Sequence, residues 1–86
     1  MKDEKFNKAL GIYLKSVRLE KRLTQKDIDI GVGRGDGWYR EIERGRNSLL
    51  FGEAEKLCAF LDLDIDEVAK RARSMEVDIK DEEKEK

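Results

Sequence analysis

The sequence predicts a small all-α domain of five helices, and three observations carry that prediction. Apolar residues recur at three- and four-residue intervals along successive segments, the spacing of one helix face. Residue types that start or stop helices stand between those segments, notably Thr24 with Asp27, then Gly33, Gly45 and the run Asp62 to Glu67. Proline is absent from all 86 residues, which suits helices joined by short turns. A chain of this length forms one domain with one modest core.

The elements follow in order. Asn7 is a plausible N-cap for a first helix running to about Arg22, with Phe6, Leu10, Leu14 and Val17 on its apolar stripe. Thr24-Gln25-Lys26-Asp27 has the form of a capping box with Asp in place of Glu. It opens a short second helix carrying Ile28 and Val32. Gly33 suits the left-handed residue of a tight turn. A third helix is expected from about Asp36 to Arg44, with Gly35 near its cap and Gly45 as its stop. Residues 46–49 read as a loop. The fourth helix sets Phe51, Ala54, Leu57, Cys58 and Leu61 on one face, and Asp62-Leu63 breaks it. In the fifth, Asp64, Asp66 and Glu67 favour the positive end of the helix dipole, and Lys70, Arg71 and Arg73 the negative end. From about Met75 the chain is almost all Asp, Glu and Lys, which predicts a mobile charged tail. The expected division is therefore a folded domain over 7–74 and a tail over 75–86.

Composition narrows the function classes. With no His, imidazole metal ligands and imidazole acid–base catalysis are excluded. The single Cys58 rules out an internal disulfide and reads as a buried structural thiol. The Asp62, Asp64, Asp66 and Glu67 cluster lacks the loop Gly and the distant Glu of a calcium loop, so helix capping accounts for it better. No apolar run is long enough to cross a bilayer and no signal-peptide pattern is visible, so a cytoplasmic protein without membrane or cofactor is expected. No nucleophile–base pair or phosphate loop points to an enzyme. Net charge is −1, but it is unevenly spread. Residues 1–46 carry twelve Lys/Arg against eight Asp/Glu, whereas 47–86 carry seven against twelve. A basic front half can still offer one face to phosphates.

One ungapped constellation goes further: Leu10-Gly11-x-x-Leu14-x-x-x-Arg18, then Leu23-Thr24-Gln25, then Ile42-Glu43-Arg44-Gly45. With Leu57-Cys58-Ala59-Phe60-Leu61 and Asp66-Glu67-Val68 it resembles the Xre/Cro-like, phage-repressor-type helix-turn-helix family across about residues 9–68. The resemblance implies a compact five-helix lambda-repressor-like domain with its helix-turn-helix at about 25–44. It implies that Arg18 and Glu43 form a semi-buried ion pair, and that Thr24 and Gln25 open helix 2 against a DNA phosphate. Helix 3 would read the major groove. Base contacts would fall to Asp36, Gly37 and Glu41, flanked by Arg34, Gly35, Trp38 and Arg40. Arg44, Arg46 and Asn47 would grip the backbone, while Tyr39 and Ile42 sit in the core.

Three features depart from that pattern. Asp36 and Glu41 are acids at reading positions, able to accept from cytosine N4 but repelled by phosphate. Gly37 brings no side chain, and the alternation of Gly31, Gly33, Gly35 and Gly37 points to a loose turn or a late helix start. Asp29 stands against helix 3 where the family has Ala, and must reach solvent or a partner such as Arg. Two functions remain in view. The first is a sequence-specific, repressor-like regulator of transcription that binds double-stranded DNA, with a homodimer through Ile65, Val68 or Ala72 as one option. The alternative is a protein-interaction module on the same scaffold (a modulator, antirepressor or antitoxin) whose partner is a second regulatory protein, anchored at Trp38.

Overall fold

The computed structural model describes the backbone of residues 4–84 and the side chains of residues 4–76. Among the described residues there are five helices: α1 (Glu4–Glu20), α2 (Gln25–Val32), α3 (Trp38–Glu43), α4 (Phe51–Leu61) and α5 (Ile65–Lys84). α1 packs along α5 and across α3, and α2 packs between α3 and α4. The core lies where these meet, centred on Leu14, Ile28, Tyr39, Ile42, Leu57 and Leu61. Among the described residues, no helix is long and apolar enough to cross a membrane.

Helix ends correct several expected boundaries. α1 already contains Asn7, which is therefore not its cap, and it stops at Glu20 rather than Arg22, because Arg22 takes a left-handed conformation at φ 60°. The Leu23 and Arg22 amides then close back onto the Arg18 and Leu19 carbonyls, satisfying the end of the helix. Thr24 and Asp27 form the reciprocal capping box that the sequence suggests. Thr24 Oγ1 accepts from the Asp27 amide at 3.0 Å and Asp27 Oδ2 accepts from the Thr24 amide at 2.9 Å. These bonds hold the Asp27 carboxyl below its usual range. Asp62 ends α4 in a left-handed conformation, matching the expected break.

Two apolar assignments change. Phe51, expected on the inner face of α4, is 71% exposed, because the first residue of that helix stands at its rim. Val68 and Ala72, considered for a dimer face, are buried against α1 and close the core instead. Ile65 is half-buried against the same core. Cys58 is buried as expected, and burial, reinforced by Asp64, pushes its thiol up. The helical backbone of α5 continues to Lys84, and the expectation about the order of the tail from Val77 on falls on side chains outside those described.

Gly11 is the point of closest approach between α1 and α3. A Cβ there would press on the Glu43 carbonyl oxygen and lie 2.7 Å from that of Ile42. Backbone cannot swing aside as a side chain can. Gly11→Ala is therefore expected to cost about 2–3 kcal/mol by overpacking, read as a lower urea midpoint with an unchanged slope.

Candidate nucleic-acid interface

The α2–turn–α3 unit is built around one buried acid. α2 ends at Gly33, which is left-handed, and the Arg34 amide returns to the Asp29 carbonyl at 2.8 Å. The Asp29 side chain, only 3% exposed, reaches across the turn. Its Oδ2 accepts from the Gly37 amide at 2.9 Å and its Oδ1 from the Tyr39 amide at 2.8 Å. Asp29 thus supplies the start of α3 with a cap that Gly37 cannot provide. Its partners are backbone donors, and neither an Arg nor solvent is needed. Gly37 sits at φ +88°, a left-handed conformation that favours glycine. The third helix consequently begins at Trp38, not Asp36, and Gly37 rather than Gly35 is its cap. Asp36 and Gly37 belong to the turn.

Beneath α3, Arg18 and Glu43 form the expected ion pair. Arg18 Nε donates to Glu43 Oε2 at 2.6 Å and Nη2 to Oε1 at 3.3 Å, while Nη1 donates to the Leu23 carbonyl at 3.0 Å. Gln25 Nε2 adds a bond to Glu43 Oε1 at 2.9 Å. One carboxylate therefore ties together the end of α1, the start of α2 and the end of α3. The Tyr39 hydroxyl is buried near it, close enough to favour the charged carboxylate but not in bonding geometry. Burial, with Glu43 close by, pushes the Tyr39 phenol far up, so it stays neutral. Burial alone would raise the Glu43 carboxyl. The bonds from Arg18 and Gln25, with Tyr39 near, outweigh it and leave it lowered.

Outside this network lies a cluster of exposed arginines. Tyr39 and Ile42 point into the core, which turns Arg40 and Arg44 outward. Glu41 lies among them: its Oε2 is 3.9 Å from Arg40 Nε and 3.5 Å from Arg44 Nη1, and its Oε1 is 3.5 Å from Arg46 Nη1. Next to Arg44 and Arg46, a polar groove of ≈ 530 Å³ runs to the start of α1, with Lys8 and Asn47 on its walls. Asn7 Nδ2 donates to Ser48 Oγ at 2.9 Å and pins the loop there. At the other end of α3, Trp38 is half-buried against the core and its ring lies 6.5 Å from that of Tyr39. The Arg34 guanidinium sits 5.4 Å from the Trp38 ring centroid and pairs with Glu53 at 3.1 Å. Glu53 also accepts from the Leu50 amide at 3.0 Å and so caps α4.

The structure thus brings Arg40, Glu41, Arg44, Arg46 and Asn47 together, whereas Gln25 is tied to the inner network through Glu43. Arg34, Gly35, Asp36 and Trp38 form the adjoining turn. Thr24 Oγ1 is engaged in its cap. Sequence reasoning missed Lys8 and Glu53, which share no motif with α3 and are close only in the folded chain. The cap made by Asp29 was signalled by an acid at a core position.

Two short helices joined by a tight turn, the second held across the first and flanked by exposed arginines, define a helix-turn-helix protein. A model of the helix-turn-helix domain matches residues 9–70, and the chain belongs to that family, in accord with the resemblance to Xre/Cro-like proteins. Two solved structures of the clp gene regulator ClgR from Corynebacterium glutamicum share the fold. One superimposes with a TM-score of 0.84 at 24% identity, covering 92% of this chain and 84% of that one. The other gives 0.74 at 26% identity, covering 81% and 91%. Compared with curated proteins, the sequence has no match.

Proposed function

We propose that this domain is a sequence-specific regulator of transcription that binds double-stranded DNA through α3, the turn before it, the start of α2 and the loop after α3. The observation that carries the proposal is the exposed set Arg40, Arg44 and Arg46, the last two joined by Lys8 and Asn47 in a groove that Glu4 also lines. Thr24 already caps the Asp27 amide and its carbonyl takes the Ile28 amide, which leaves the Gln25 and Lys26 amides at the start of α2 to suit a phosphate. Similarity to a clp gene regulator supports the same reading. Repression, and a twofold dimer on a palindromic site, belong to the proposal. Exposed Leu50 and Phe51, at the start of α4 where Glu53 meets Arg34, favour a second reading, in which a regulatory protein docks there.

Titration of random and genomic duplexes over a salt series tests the first reading. Affinity is expected to fall steeply with salt, by about 0.9 log units per log unit of salt for each phosphate neutralised. Arg40→Ala is expected to weaken binding to all sequences and to flatten the slope by about one. Absence of duplex binding at low salt, with stoichiometric capture of a protein that requires Trp38, supports the second.

A further inference from the structure

The arginines of the reading face are not free. Glu41 uses both carboxylate oxygens to hold Arg40, Arg44 and Arg46, and Glu53 holds Arg34. Glu41 lies where the family resemblance sets a base-reading side chain, yet its carboxylate is directed to its own neighbours. We propose that Glu41 is an internal stand-in for phosphate, which restrains the three arginines from indiscriminate binding and so sets the ratio of specific to random DNA affinity. This inference rests on the DNA-binding reading above.

The geometry fits a restraint that can be exchanged. The three separations, 3.5 to 3.9 Å, are longer than those of a tight charge-assisted bond. The arginine side chains stay more than half exposed, whereas Glu41 is 28% exposed. Each such pair is weak on its own, so a phosphate can displace the carboxylate from any one arginine. Random duplex must meet that competition, and the remaining negative charge repels it. At a preferred site, additional base contacts offset the exchange. A specific complex that leaves some of these arginines off the phosphates meets less of that competition than random binding, which is almost wholly electrostatic, so the cluster lowers random binding more.

Glu41→Gln removes the charge and keeps the shape. Glu53 is a poorer probe, because it also caps α4. Random duplex and a duplex selected for tight binding by the parent are titrated with both proteins at several salt concentrations, with melting temperatures as a check on folding. Glu41→Gln is expected to bind random duplex about five-fold more tightly, the combined weight of a few weak exposed ion pairs. Its salt slope should be steeper by about one phosphate contact, and its discrimination between the two duplexes lower. If the variant loses affinity for the selected duplex while random binding stays unchanged, Glu41 is a base contact and the restraint is overturned, with DNA binding intact. If neither protein binds duplex at low salt, the DNA-binding reading itself fails and the restraint falls with it.

Discussion

Glu43→Ala is expected to destabilise the domain by about 3 kcal/mol, because it strands the Arg18 guanidinium in a site with little water. The two side chains are 12% and 5% exposed. For a domain of this size that loss lowers the melting temperature by about 15 °C. Glu43 also holds Gln25, so the start of α2 loosens in the same variant. Arg18→Ala should cost at least as much, since Arg18 also closes the α1–α2 turn through the Leu23 carbonyl. The two losses should not add. In a double-mutant cycle the pair Arg18→Met with Glu43→Leu is expected to regain much of the stability, as apolar replacements of buried ion pairs do. Additive losses would mean that the pair is solvated and contributes little.

The same carboxylate sets an acid limit. Its pKa in the folded chain is lowered, the bonds from Arg18 and Gln25 outweighing burial. A depressed folded value means that the unfolded chain takes up the proton first as pH falls. The stabilisation by Glu43 is therefore complete above the unfolded carboxyl value of about 4.3 and is lost as pH drops through the lower folded value. Urea unfolding at successive pH values should show the gap between the parent and Glu43→Gln closing across that window.

Most of the scaffold was legible because it is written in local or periodic terms. Helix spacing identified Leu10, Leu14, Val17, Ile28 and Val32, which are all buried. The Thr24 box depends on four consecutive residues, and both of its bonds are present. The Arg18–Glu43 pair came from a resemblance whose ungapped spacing preserved the register of α1 against α3. What stayed hidden depends on which faces meet. Periodicity groups Phe51 with Leu57 and Leu61 but does not show that the first turn of α4 overhangs the core. The same ambiguity left Val68 and Ala72 between core and interface. Charges read one at a time place Glu41 on DNA. Only the folded chain shows it enclosed by Arg40, Arg44 and Arg46.

Asp29→Ala is expected to cost about 3 kcal/mol and to act on α3 first. Two charge-assisted bonds disappear, and the Gly37 and Tyr39 amides lose their acceptors in a place that water reaches poorly. An exposed cap lost elsewhere gives the comparison: Thr24→Ala, at the start of α2, should cost about 1 kcal/mol. The difference arises from burial, since water can replace the Thr24 hydroxyl but not the Asp29 carboxylate. Asp29→Asn keeps one acceptor oxygen and turns a donor toward the second amide, so its loss should fall between the other two. The readout is local as well as global. Amide exchange at Gly37 and Tyr39 should accelerate in Asp29→Ala beyond what the drop in global stability explains. Because α3 carries Arg40 and Glu41, duplex affinity should fall in this variant even well below its melting temperature, whereas Thr24→Ala should retain the orientation of α3. Equal losses for Asp29→Ala and Thr24→Ala would show that α3 is held in place by Tyr39 and Ile42 packing alone, and that the acid in the core is incidental to it.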